Sequence, residues 1–280
     1  MLKPMEPRVE FQVARCPIDA VVVRELIGAG TYGKVYRTCL EGDCNVVVKV
    51  QVLSQPDPSK ASKQSYEELI RDFDNEAALA KRASDGGYGP RVLLACRGAG
   101  HADNELALAL ELAVPYEVGL IAMERWDGSL RQLAWCHSAE RSAEVARLLE
   151  AKVAAMRADN VVHADLQPAN VFYRLRGRRV VDLAIGDYGY AFDLTQPHER
   201  ALIEQMYKWN YYDGTTGNYA QADPLLSQER LEDVLQDPSM LDEPMLVMAR
   251  TCAKARADTS PRRRTAPTRQ TKTKTTAEST

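Results

Sequence analysis

Gly28-Ala29-Gly30-Thr31-Tyr32-Gly33-Lys34-Val35 lies between two β-branched runs, and a lone lysine, Lys49, follows it inside Val46-Val47-Val48-Lys49-Val50. Glycines at these spacings let a hairpin tip lower its backbone N–H groups onto phosphate oxygens, where a Cβ would hold the chain away. An ammonium on the next strand reaches the same phosphates from the side, so the pairing reads as a nucleotide clamp. G-x-G-x-x-G also opens dinucleotide-binding folds, but those need a helix directly after the glycines. Here Val35-Tyr36-Arg37-Thr38-Cys39-Leu40, followed by Glu41-Gly42-Asp43-Cys44, reads as a strand entering a turn. The hairpin clamp is the better fit, with a purely structural glycine turn as the bland alternative.

Two further clusters carry chemistry. Val161-Val162-His163-Ala164-Asp165-Leu166-Gln167-Pro168-Ala169-Asn170-Val171 sets an acid and an amide in a segment that Pro168 keeps from being a regular helix. An acid that takes a proton from a nucleophile, beside an amide oxygen that binds a hard cation, is what phosphoryl transfer asks of a protein. Leu183-Ala184-Ile185-Gly186-Asp187-Tyr188-Gly189 is an apolar strand ending in an aspartate, with an aromatic and a glycine that turn the chain sharply. Each piece alone has a structural reading: His163 a core histidine, Asp165 a turn residue, Asp187 a hairpin acid. Their occurrence together, in this order after the glycine loop and the lysine, argues against it.

With these residues in view, the chain resembles the protein kinase family over about residues 20 to 195. The resemblance implies an α+β, two-lobed fold with an antiparallel β small lobe over residues 21–124 and a mainly α, reduced large lobe over 125–253. It implies that Gly28, Ala29, Gly30, Thr31, Tyr32, Gly33 and Val35 cover ATP, that Lys49 contacts its α and β phosphates, and that Asp165 is the catalytic base. Asn170 and Asp187 would hold Mg²⁺. Glu76, in the helix-forming run Asp72-Phe73-Asp74-Asn75-Glu76-Ala77-Ala78-Leu79, fits the register of the lysine's partner, with Glu67 and Glu68 as rivals. The polar insert Ser54-Gln55-Pro56-Asp57-Pro58-Ser59-Lys60 accounts for the wide spacing between Lys49 and Glu76. Gly119-Leu120-Ile121-Ala122-Met123-Glu124 running into Arg125-Trp126 looks like the hinge: backbone groups of Glu124 and Trp126 would bond the adenine edge, with Met123 behind it. The run from Met123 to Leu130 is most similar to the casein-kinase-1 and vaccinia-related-kinase branch. The implied function is ATP- and Mg²⁺-dependent transfer of the γ-phosphate to Ser/Thr hydroxyls of protein substrates.

Composition fits such an enzyme. The 280 residues, 45% apolar and 27% charged, suffice for one domain with a sizeable core. Cys16, Cys39, Cys44, Cys96, Cys136 and Cys252 contain no C-x-x-C and read as reduced cytosolic thiols, with a metal pair at Cys39 and Cys44 as a minor alternative. His101, His137 and His198 are isolated and read as surface or packing residues. No signal-peptide pattern opens the chain, and Glu111, Pro115 and Glu117 interrupt the apolar stretch 106–123, which reads as a strand pair and not as a membrane span. The expected placement is cytoplasmic, or nuclear through Arg262-Arg263-Arg264. Residues 1–20 form a lead-in. One helix is expected between Ser65 and Ala83, and another over Ala139–Ala158 with Val145, Leu148, Leu149, Val153 and Met156 on its inner stripe. From Lys254 to Thr280, eight Lys or Arg face only Asp258 and Glu278, so this tail carries +6 and the preceding residues −9. With almost no large apolar residue it reads as a disordered tail that either only solubilises the chain, makes weak contact with nucleic acid or acidic proteins, or accepts phosphate on its threonines.

The departures from the family pattern are chemical. Ala164 stands where the catalytic-loop arginine is usual, so a phosphorylated segment would lack its counter-charge there. Gln167 replaces the lysine two residues after the base. No A-P-E follows Asp187, and Met206-Tyr207-Lys208-Trp209-Asn210-Tyr211-Tyr212 is an aromatic cluster of no assigned role. Two alternatives therefore stay open: a small-molecule phosphotransferase of the aminoglycoside-kinase type, and an ATP-binding pseudokinase acting as an interaction module.

Overall fold

The computed structural model describes residues 14–16, 18, 21–30, 33–40, 42–54, 64–100, 105–110, 116–197, 199, 203 and 236–259. Their architecture is α+β. Strands β1 (Ala14–Arg15), β2 (Val22–Gly30), β3 (Gly33–Leu40), β4 (Asp43–Ser54), β5 (Val92–Gly100) and β6 (Tyr116–Glu124) form one sheet in the order β1-β5-β6-β4-β3-β2. All its pairings are antiparallel except the short parallel contact of β1 with β5. The glycine run is thus a β-hairpin, with Gly30 paired to Gly33, and the helix that a dinucleotide fold requires is not there.

Strand alternation sorts the central strand β4 between two interiors. Val46, Val48 and Val50 point into one with Tyr36, Val118 and Leu120. Leu53 points into the other, with Ile121 and the helix residues Phe73 and Ala77. Helix α1 (Tyr66–Asp85) covers that second face. It starts where Ser65 and Glu68 satisfy each other's backbone N–H groups in a capping box, which gives Glu68 a structural duty. On the opposite face sits helix α2 (Glu105–Leu110), which buries Leu106, Ala107 and Leu110. The expected strand pair over 106–123 is therefore corrected: among the described residues of this stretch, 106–110 are helical and β6 is the one strand. Glu, Leu and Ala are good helix formers, and the apolar positions 106, 107 and 110 make one helical face.

The remaining elements surround a separate apolar interior. Helix α3 (Ala139–Ala158), capped by Ser138, buries Val145, Leu149, Val153 and Met156 and packs against α4 (Glu243–Thr259) and β10 (Arg179–Ile185). Strand β10 pairs with β9 (Val171–Arg176), and β9 pairs with β7 (Gly128–Ser129). The two-residue strands β8 (Val161–Val162) and β11 (Phe192–Asp193) pair antiparallel and bracket the sequence that holds His163 to Gly189.

Two more expectations change. All six cysteines are paired, Cys16 with Cys96, Cys39 with Cys44 and Cys136 with Cys252, at Cα separations of 5.1, 4.0 and 5.3 Å. This overturns both the reduced-thiol reading and the Cys39/Cys44 metal pair; two of the three pairs are distant in sequence and meet only because β1 joins β5 and α4 joins the turn at Trp135–His137. Helix α4 also continues through Lys254 to Thr259, so the change in composition at 254 does not coincide with the helix end. Residues 1–13, the insert 55–60, Thr31, Tyr32, His101, His198, the aromatic cluster 206–212 and the tail 260–280 lie outside the described residues. Among the described residues no helix is long and apolar enough to cross a membrane.

Candidate active site

Strand register puts Lys49 at the centre of the site. Gly28 pairs with Val35, Val35 with Lys49, and Lys49 with Ile121, so four strands stack these residues in one row across the sheet. The α1 helix lies on that face, and Lys49 Nζ donates to Glu76 Oε1 at 2.5 Å. It also donates to Asp187 Oδ1 at 2.6 Å. Of the three glutamates weighed for the lysine, only Glu76 is buried, and it alone makes this contact. Burial pushes the Glu76 carboxyl up. Burial alone would lower Lys49, but Glu76 and Asp187 outweigh it and hold the ammonium above its ordinary value.

The segment from His163 to Asn170 is tied to the Gly186–Asp187 turn through the backbone. Gly186 N donates to Asn170 O at 2.9 Å, and His163 Nε2 lies 2.9 Å from Gly186 O. Asp165 N donates to His163 Nδ1 at 3.3 Å, which assigns the imidazole proton to Nε2 and makes it the donor to Gly186 O. The His163 ring packs at 5.2 Å from the buried Tyr188 ring. These bonds carry Asp165, Asn170 and Asp187 to one place. Asp187 itself has φ +65°, a left-handed conformation that aims its half-exposed carboxylate at Lys49.

Asp165 is surrounded by amides. Gln167 Nε2 donates to both its carboxylate oxygens at 3.0 and 3.1 Å, and Asn170 Nδ2 donates to Asp165 O at 2.9 Å and to Oδ2 at 3.0 Å. With its nitrogen spent on Asp165, Asn170 has its side-chain oxygen left as one that could ligate a cation. Asn170 and Asp187 form a set of two hard oxygen donors, which suits Mg²⁺, an ion that retains waters and substrate phosphates as its other ligands. A third acidic or imidazole ligand is not required for that mode. None is found: among the described residues no group of three or more His, Cys, Asp or Glu is arranged around a common point.

At the segment expected to be the hinge, one backbone group of Glu124 is already engaged. The Glu124 N–H donates to Arg91 O at 2.9 Å, so it is not a donor for an adenine edge. The Glu124 carboxylate accepts from Arg91 N and, at 2.7 Å, from Arg174, whose guanidinium also lies 4.5 Å from the Trp126 ring centre. Met123 is half-buried on β6, paired with Val47. A shallow depression lined by Arg24, Glu25, Arg37, Thr38, Cys39 and Cys44 lies at another part of the sheet and contains none of these groups.

No family model matches the chain, and no curated protein matches it.

Asp242 joins the site with no signal in the local sequence. This residue, fully buried at the end of the short 3-10 turn Pro238–Asp242, accepts from His163 N at 3.1 Å and Ala164 N at 3.0 Å. Burial pushes its carboxyl up, against the pull of His163 and the two N–H groups. Ala164 has φ +60°, which turns consecutive N–H groups toward one anion. The acid lies far along the chain from the loop it holds, so no local pattern marks it.

Proposed function

We propose that the protein is an ATP- and Mg²⁺-dependent phosphotransferase of the protein-kinase type that acts on Ser/Thr hydroxyls. The observation that carries this reading is Lys49 bridging Glu76 and Asp187, while the Gly186 backbone bonds fix Asp165 and Asn170 alongside. In this reading the glycine hairpin and Lys49 hold the phosphates, and Asn170 and Asp187 hold the cation. Bound Mg²⁺ supplies charge neutralisation at the phosphates. Asp165 orients the acceptor hydroxyl and takes its proton as the oxygen bonds to the γ-phosphorus; the bond to the β-phosphate oxygen breaks and ADP leaves. The amides of Gln167 and Asn170 orient the base without neutralising it. The intact set of Lys49, Glu76, Asp165, Asn170 and Asp187 favours catalysis over a pure binding module.

Asp165→Asn tests the assignment. Transfer of label from ATP should fall about 10²- to 10⁴-fold, the range for loss of a general base. The nucleotide-induced rise in melting temperature should survive, because the base faces the acceptor and not the nucleotide. Full turnover in Asp165→Asn would refute the role. A panel of proteins, peptides and aminoglycosides separates the protein-kinase reading from the small-molecule alternative.

A further inference from the structure

The α1 helix that carries Glu76 is held at a second point by Arg82. Its guanidinium donates through Nε to Asp159 Oδ2 at 2.9 Å and through Nη2 to Asp159 O, and Nη1 lies 2.9 Å from Asp193 Oδ2. Asp159 closes helix α3, and Tyr88 OH donates to its carboxylate at 2.9 Å. Asp193 is in β11, whose partner strand β8 leads directly into His163. Thr195 donates to Asp193 Oδ1 from both N, at 3.0 Å, and Oγ1, at 2.6 Å. The Arg82 and Asp193 side chains are only 21% and 12% exposed, so this contact lies outside the class of screened surface pairs.

The two attachments run in parallel. Asp187 reaches Glu76 through Lys49, and Asp193 reaches Arg82 directly. Both carboxylates belong to the segment after the apolar strand β10, and both partners belong to α1. A swing of α1 that separated Glu76 from Lys49 would have to break or drag the Arg82 cluster. Ala164 leaves the catalytic loop without a guanidinium, so a phosphate added to this segment finds no arginine there. The chain carries its own carboxylate at Asp193 and its own arginine on the helix.

We propose that Arg82 is a positioning residue which, by clamping Asp193 and Asp159, holds α1 with Glu76 engaged on Lys49 and so keeps the site assembled without phosphorylation of the segment after Gly189. The proposal rests on the phosphotransferase reading for its kinetic consequence, but not for its structural one.

The experiment uses the full-length protein with Arg82→Gln, Asp193→Asn, the double variant, and Arg250→Gln as a control that removes the exposed Arg250 pairs with Glu150 and Glu243. Two quantities are measured: kcat and KM for ATP per folded molecule, and hydrogen exchange of the α1 amides around Glu76 without nucleotide. Arg82→Gln and Asp193→Asn should each lower kcat about 10- to 100-fold, as expected for a displacement on the order of 1 Å at the reacting groups. The double variant should lose no more than the worse single one, because the two residues act as a unit. Exchange near Glu76 should quicken in all three, and Arg250→Gln should match wild type in both readouts. Phosphatase-treated wild type should keep its kcat. Wild-type kcat and wild-type exchange in Arg82→Gln would overturn the proposal, as would additive losses in the double variant or silencing by phosphatase. If wild type transfers no phosphate to any acceptor, the phosphotransferase reading fails. Exchange near Glu76 then decides the clamp alone, with faster exchange in Arg82→Gln supporting it and unchanged exchange refuting it.

Discussion

Gly119→Ala should damage the site from a distance. Gly119 is on β6 beneath Phe73 of α1, and a Cβ built there falls 2.4 Å from Phe73 Cδ2 and Cε2. Ordinary contact begins near 3.4 Å, so the ring must retreat by about 1 Å. Phe73 is 1% exposed among Leu53, Leu69, Ala77 and Ile121, which leaves no open side to move into. The retreat therefore moves the helix. Overpacking of this kind costs about 1–3 kcal/mol, and alanine returns about 0.4–1 kcal/mol through lower unfolded-state entropy, for a net loss of roughly 1–2 kcal/mol. Because Phe73 and Glu76 are three residues apart on α1, the displacement also lengthens the 2.5 Å contact to Lys49. Urea unfolding gives the stability and label transfer gives the rate; kcat should fall at least about ten-fold. Phe73→Leu in the Gly119→Ala background should recover much of both, while Phe73→Leu alone should destabilise by about 1–2 kcal/mol through lost packing. A Gly119→Ala protein with wild-type stability and rate would refute the claim that this contact sets the position of α1.

Two further outcomes can be checked. Alkylation of the native protein before reduction should label no cysteine, and Cys136→Ser should lower stability markedly, since closing a loop of 116 residues contributes about 5 kcal/mol in the chain-entropy account. Free thiols in the native protein would refute the pairing. Ala164→Gly should stabilise the fold by about 0.5–1 kcal/mol: a left-handed alanine costs about 1–2 kcal/mol, of which the entropy of glycine takes back about 0.5–1. A loss of stability in thermal unfolding would contradict it.

The parts of the site that were legible in the sequence are those whose chemistry needs neighbours close in the chain. The glycine hairpin, the loop from His163 to Asn170 and the turn at Asp187 each announce themselves because turn geometry is a local property. Helix α3 was legible from its apolar stripe, which has the helical period; the Ser138 cap is seen only in the structure. The segment 106–110 was misread because a short apolar run carries no period long enough to separate strand from helix. The cysteines were misread because spacing says nothing about partners that strand pairing and helix packing bring together.

What the sequence by itself determined is thus the set of candidate groups: a glycine hairpin followed by a strand lysine, an acid with an amide beside it, and a second acid after an apolar strand. Sequence register favours Glu76 over its rivals Glu67 and Glu68 as the partner of Lys49, and it is the tertiary packing of Phe73 on Gly119 and of Ala77 on the sheet that turns Glu76 inward to make the contact. Tertiary structure also decided that Asp242 holds the loop and that Arg82 meets Asp159 and Asp193, contacts between residues scores of positions apart. The physical reason is the same in each case. A charge in the interior is tolerable only where another group has been brought to meet it, and for these residues it is the folded chain that brings the partner.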